Sequence, residues 1–168
     1  MSTNLHDLIG FSGKPSGLQW LDLSPLVQDI CDSLQSRLSS QAITVELDIP
    51  MSTRIQADSR LIRQALVNLV LNALDAMPNM GQLQITSWTG PGGVELEIAD
   101  SGDGIDTNRS NQLFDTNYTT KGQGRGQGLT VAQQVIELHG GQIVACNCPQ
   151  GGAAFTITFP IQAVQAAA

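Results

Sequence analysis

The stretch NLVLNALDAM, residues 68 to 77, sets three polar side chains into an otherwise apolar run. Asn68, Asn72 and Asp75 stand at i, i+4 and i+7, so at about 100° per residue they fall on one face of a helix. Two amide oxygens and a carboxylate suit a hard cation such as magnesium, which keeps several waters and takes other oxygens from substrate phosphates. A plainer reading stands beside this one, because an amphipathic helix needs a wet side and the stripe could be no more than that. Against it, most other positions from Leu61 to Met77 are apolar, and the stripe holds amides in place of the Lys and Glu usual on solvated faces.

Two later segments carry complementary chemistry. ADSGDGID puts Asp100 at the end of an apolar alternating run, with Gly102 and Gly104 behind it. A partly shielded carboxylate there can accept a hydrogen bond from an exocyclic amine, and glycines let the backbone approach a flat ligand closely. Taken alone, DSGDG is equally an ordinary turn. KGQGRGQGL has glycine at 122, 124, 126 and 128, directly ahead of a helical pattern. Exposed backbone N–H groups and a helix N-terminus together make an anion site. A flexible linker would explain the glycines, but not the presence among them of Lys121 and Arg125, two of only eight basic residues. Neither GxGxxG nor GxxxxGK[ST] is present. Metal-binding amides, an amine-accepting Asp and a glycine lid with cations converge, in that order, on ATP with magnesium.

The elements that must position these groups follow from patterning. The 168 residues, 41% hydrophobic, suffice for one domain with a sizeable core. A formal charge of -7 gives no footprint for phosphate backbones, so nucleic acid is not an expected partner. Cys31, Cys146 and Cys148 form an odd set without a CxxC pair, which fits reduced cysteines in a cytoplasmic protein. No window reaches the roughly 20 apolar residues of a membrane span. SPLVQDICDSLQSRLSSQ predicts a helix with Ser24 as N-cap and Pro25 at its first position, ITVELDI a half-buried strand, and Asp58 the cap of a second helix stopped at Pro78. QLQITSW and VELEIAD, parted by TGPGG, predict a hairpin. About 25 residues without regular pattern follow, a length usual for a functional loop. LTVAQQVIELHGG then predicts a helix, and QIVACN and AAFTITF a final strand pair. The expected class is α+β: a mixed, mostly antiparallel sheet with three helices on one face.

NLVLNALDAM, DSGDGI, LFDTNYTTK and GRGQGLTVAQQVIELHGG resemble, in that order, the N box, first glycine box, phenylalanine box and second glycine box of sensor histidine kinases. The likeness is strongest to their nitrogen-regulator-like branch, within the superfamily that also holds gyrase, Hsp90 and MutL. It covers about residue 20 to Pro160 and implies the two-layer Bergerat fold. It implies that Asn72 binds magnesium, that Asn68 helps to place the metal and the attacking group, and that Asp100 takes the adenine amino group. Gly102, Gly104, Gly124, Gly126 and Gly128 would shape pocket and lid. Asp75, Ile105, Thr119, Thr120, Arg125 and Leu129 would join the nucleotide contacts, and Lys121 would act with the two asparagines in catalysis. The sequence departs from the family where GTGLGL is usual and GRGQGL stands here, and in FDTNYTTK; these changes bear on lid closure. Arg125 either contacts the terminal phosphate or is solvated.

ATP hydrolases of the superfamily usually carry Glu where Asn68 stands, as a general base. An amide cannot accept that proton, which favours transfer to a nucleophile already basic enough, such as imidazole. No acceptor motif is present: His6 lacks the following Glu, and His139 ends a helix, where an imidazole interacts with the dipole. The resemblance therefore implies a catalytic domain, residues 20–162, that phosphorylates a histidine on a dimerisation domain absent from this chain and feeds a response regulator receiver domain. Residues 1–19 would be a linker or the end of an upstream helix, 163–168 a tail, and the isolated domain monomeric. The alternatives are a nucleotide-gated interaction module and, disfavoured by Asn68, an ATP hydrolase.

Overall fold

The computed structural model describes residues 17–106, 113–114 and 127–160. Its centre is a five-stranded mixed sheet of β2 (Ile43–Asp48), β4 (Gly81–Gly90), β5 (Gly93–Asp100), β6 (Gln142–Asn147) and β7 (Ala153–Phe159), in the order β2-β4-β5-β7-β6. Only β2 and β4 run parallel, as expected for two strands joined by a helical crossover. β4 and β5 pair down to Gly90 and Gly93, so TGPGG closes the hairpin with Pro91 and Gly92 as its loop. Along β5, Val94, Leu96, Ile98 and Asp100 are buried, and the intervening Glu95, Glu97 and Ala99 are not. One face of the sheet is therefore core and the other is open.

Three helices cover the core face: α1 (Leu23–Ser33), α3 (Ser59–Ala76) and α4 (Gln127–Leu138). Leu23, Val27 and Ile30 of α1, Ile62, Leu66 and Leu69 of α3, and Ala132, Val135 and Ile136 of α4 share one cluster with Leu83, Leu96, Ile98, Phe155 and Ile157 of the sheet. The expected α+β two-layer class is what forms. The Asp58 cap forms as well: its Oδ1 accepts from the backbone N–H of Arg60 at 3.0 Å and of Leu61 at 3.4 Å.

Two expectations are corrected. The first helix starts at Leu23 with Asp22, not Ser24, in the N-cap position, and the Ser24 hydroxyl instead reaches Met51 Sδ at 3.4 Å. Pro25 sits within the first turn, where no intrahelical N–H is needed. Nor does that helix run through to Gln41: Leu34 breaks it, and a short α2 (Gln35–Ser40) follows. Just before the break the Ser33 hydroxyl donates back to the Ile30 carbonyl at 2.7 Å, competing with the helical ladder. A small ribbon also escaped the pattern reading. β1 (Gln19–Asp22) pairs antiparallel with β3 (Arg54–Ala57), its end tied by Arg54 Nε to Asp22 Oδ1 at 2.6 Å.

Candidate functional site

α3 carries the polar stripe. Its apolar positions, Leu61, Ile62, Ala65, Leu66, Leu69, Val70, Ala73 and Leu74, are all buried, which fixes the helix in rotation. Asn68, Asn72 and Asp75 are consequently half-buried on the side turned away from the core. Asp75 is held by the Arg37 guanidinium of α2. Below it, the Gln41 side chain donates to the carbonyls of Leu74 at 3.1 Å and Met77 at 3.2 Å, tying up the end of α3.

The stripe is bracketed. At its C-terminal end lies the turn that follows β5: a Cβ on Gly102 would stand 2.5 Å from the Ala76 carbonyl oxygen and 2.7 Å from its Cβ, so only glycine lets this turn pack against α3. At its other end is the first turn of α4, where a Cβ on Gly128 would stand 3.6 Å from Asn68 Cβ and Cγ, an ordinary contact. From Asn68 to Ala76 is about 12 Å of helix, at 1.5 Å per residue.

Asp100 occupies the turn with only 4% of its surface exposed. Its Oδ1 accepts from the Gly102 N–H at 2.8 Å and the Ala153 N–H at 3.4 Å, which fixes a shielded carboxylate in the turn that packs against the end of α3. Burial pushes the nearby Cys148 thiol up from its ordinary pKa, helped by Cys146, Asp100 and Glu97, so it stays protonated and adds no charge beside Asp100.

α4 is positioned from both ends. Near its start, the buried Thr130 hydroxyl donates to the Phe114 carbonyl at 2.8 Å, and the Phe114 ring meets Phe155 edge-on at 6.5 Å. At its end, His139 Nε2 accepts from the Asp58 N–H at 3.0 Å and Nδ1 faces the Val135 carbonyl at 2.7 Å, a pattern that requires the Nδ1–H tautomer. His139 thus joins the end of α4 to the start of α3, while Gly128 meets Asn68: the two helices run antiparallel in fixed register.

The first turn of α4, with Gly128 and Leu129, thus meets α3 at Asn68, and the turn that holds Asp100, Gly102, Gly104 and Ile105 meets it at Ala76, with Asn72 between the two. Thr119, Thr120, Lys121, Gly124, Arg125 and Gly126 lie outside the described residues, as does His6. Among the described residues no group of three His, Cys, Asp or Glu side chains is placed to hold a metal. No described helix is long and apolar enough to cross a membrane. Thr130 and Asn147 were missed by sequence reasoning: Thr130 acts through one hydrogen bond and Asn147 through two, each to the backbone of a distant segment, and no periodicity signals them.

Residues 57–163 match the family described as histidine kinase-, DNA gyrase B-, and HSP90-like ATPase. The chain is 33% identical over 162 residues to the signal transduction histidine-protein kinase AtoS of Escherichia coli strain K12, covering 94% of this chain and 26% of that protein. The sensor histidine kinase ZraS of Klebsiella oxytoca is likewise 33% identical, over 90% of this chain and 34% of its own. The chain thus spans between a quarter and about a third of these curated relatives. Among solved structures, the catalytic domain of histidine kinase ThkA superposes with a TM-score of 0.80 at 28% identity, covering 86% of this chain and 96% of its own. The match extends over the stripe, the Asp100 turn and α4 alike, and on these grounds the chain belongs to the histidine kinase-, DNA gyrase B-, and HSP90-like ATPase family, with the catalytic-domain fold of the sensor histidine kinases.

Proposed function

We propose that this chain binds ATP with magnesium and transfers the γ-phosphoryl group to a histidine on a dimerisation domain, from which it passes to a response regulator receiver domain. The observation that carries the reading is the bracketed stripe: half-buried amides on α3, with a buried, oriented carboxylate at one end and a helix N-terminus at the other. The parts fit the parts of the nucleotide. Asp100 accepts from the adenine amine, and Gly102, Gly104, Ile105 and Leu129 line the base end. Gly124, Gly126, Gly128, Thr119, Thr120 and Arg125 belong to the phosphate end, and Asp75 joins the nucleotide contacts. Asn72 and Asn68 hold magnesium, which when bound neutralises charge on the phosphates.

Catalysis then rests on alignment and charge. Asn68 offers no general base, so the acceptor must be nucleophilic as it arrives, which an imidazole nitrogen is. The N–P bond forms as the bond from the γ-phosphorus to the bridging oxygen breaks, ADP leaves, and the imidazole proton passes to solvent. Lys121 stabilises the transferred group. Residues 20–162 form the catalytic unit, which is monomeric, cytoplasmic, and without a nucleic-acid partner.

The decisive experiment mixes the chain with dimerisation hairpins of related kinases, magnesium and γ-labelled ATP. Acid-labile, base-stable phosphohistidine on a hairpin is the expected product. Its absence with every hairpin, while ATP still binds, would remove the kinase reading and leave a nucleotide-gated module.

A further inference from the structure

The turn after β5 has no regular structure of its own from Ser101 to Asp106, yet it carries the groups assigned to the base. Its start is fastened to β4, where the Ser101 N–H donates to the Gln82 carbonyl at 3.1 Å and the Ser101 hydroxyl accepts from the Gln82 N–H at 2.9 Å. Its far end is held by Asn147, the last residue of β6. The Asn147 Oδ1 accepts from the Ile105 N–H at 2.6 Å, and its Nδ2 donates to the Ile105 carbonyl at 2.8 Å. A carboxamide presents donor and acceptor in the arrangement of a peptide group, so it closes a two-point clamp on one residue as a neighbouring strand would. The same oxygen would stand 2.7 Å from any Cβ on Gly104, whose φ of +77° already favours glycine.

The clamp is itself in register. Asn147 pairs with Ala153 across β6 and β7, and the Ala153 N–H is the group that reaches Asp100 Oδ1. Beyond Asn147 the Cys148 N–H donates to the Gly152 carbonyl at 2.9 Å, and the Gly151 N–H to the Cys148 carbonyl at 3.0 Å, closing the hairpin. One cross-strand pair therefore grips both ends of the turn: Ala153 at the carboxylate, Asn147 at Ile105.

We infer that Asn147 is a positioning residue for the nucleotide base, fixing the distance between the Asp100 carboxylate and the Gly104 and Ile105 backbone; this rests on the nucleotide-site reading above. It is an exposed side chain at a strand end, so its removal leaves the core intact.

Two measurements on the N147A variant test this. Amide exchange without nucleotide should quicken at Ile105 by about tenfold or more and stay unchanged in α3 and β5. Titration should show ATP, ADP and AMP weakened by the same factor, roughly five- to twentyfold for two lost hydrogen bonds, because the clamp acts where the three ligands are alike. The melting temperature of the ligand-free chain should fall by only a few degrees. Unchanged exchange at Ile105, unchanged affinity, a loss for ATP that greatly exceeds that for AMP, or a large drop in melting temperature would each overturn the assignment to Asn147. Failure of the wild-type chain to bind any of the three would overturn the nucleotide reading, and this inference with it.

Discussion

Asn68 and Asn72 stand on neighbouring turns of one helix, whereas the Asp100 turn at the other side of the stripe is held by groups from four other places in the chain, Ala153, fifty-three residues further on, among them. The first region is set locally. Once eight of the apolar positions of α3 are buried, its rotation is fixed and the amides point one way. The second is set by tertiary contact: Gly102 against Ala76, Ser101 against Gln82, Ile105 against Asn147 and the carboxylate against Ala153. Local construction tolerates single changes, whereas a turn closed from three sides does not, so substitutions should hurt more there.

The largest effect is expected from Asp100→Asn. The amide oxygen can keep the bonds from the Gly102 and Ala153 N–H groups, and the fold should survive. Its NH2 then replaces the second carboxylate oxygen, setting donor against donor at the adenine amine. Losing a charge-assisted bond and burying the mismatch costs about 3 kcal/mol, or roughly a hundredfold in ATP affinity by calorimetry. ATP affinity within a factor of two of wild type would remove Asp100 from the site.

Next in size is Gly102→Ala. The new methyl group meets backbone, which cannot rotate away, so α3 and the turn must part. A stability loss of about 2 kcal/mol, seen as a melting temperature lower by roughly 6 °C, should accompany weaker ATP binding. An unaltered melting curve would mean that the turn is looser than its contacts imply.

The same contrast decides what could be read from the sequence. α3 and its Asp58 cap were legible because period and cap are local, and the β4–β5 hairpin because TGPGG carries the turn chemistry. The turn at Asp100 was legible through the glycines after it. The β1–β3 ribbon was not: two four-residue strands show too little alternation, and their pairing joins segments about thirty residues apart. The break at Leu34 depends on a Ser33 hydroxyl turned inward to the Ile30 carbonyl, a choice the helical period does not encode. Thr130 and Asn147 are ordinary polar residues until Phe114 and Ile105 are folded against them.

A smaller effect is expected on the local side. Asn72→Ala should leave the fold intact and lower ATP affinity about tenfold with magnesium, and little in excess chelator. This isolates the metal-dependent part of binding, which Asp100 does not control. An equal loss with and without magnesium would reassign Asn72 from metal ligand to a direct nucleotide contact.

The smallest effect is expected from Gly128→Ala, and it sharpens the contrast most. Gly128 and Gly102 both belong to the glycine set of the site, but the added methyl at 128 meets Asn68 side-chain atoms at 3.6 Å, an ordinary van der Waals contact, within the first turn of α4. Alanine is also the better helix former, by up to about 1 kcal/mol in a helix interior and less in a first turn. Stability should therefore hold or rise slightly, with ATP affinity changed less than about threefold, a shift below about 0.7 kcal/mol. If G128A instead melts as far below wild type as G102A, then α4 is packed against α3 by contact as strict as that holding the Asp100 turn. The division between a locally set wall and a tertiary-set turn would then fail.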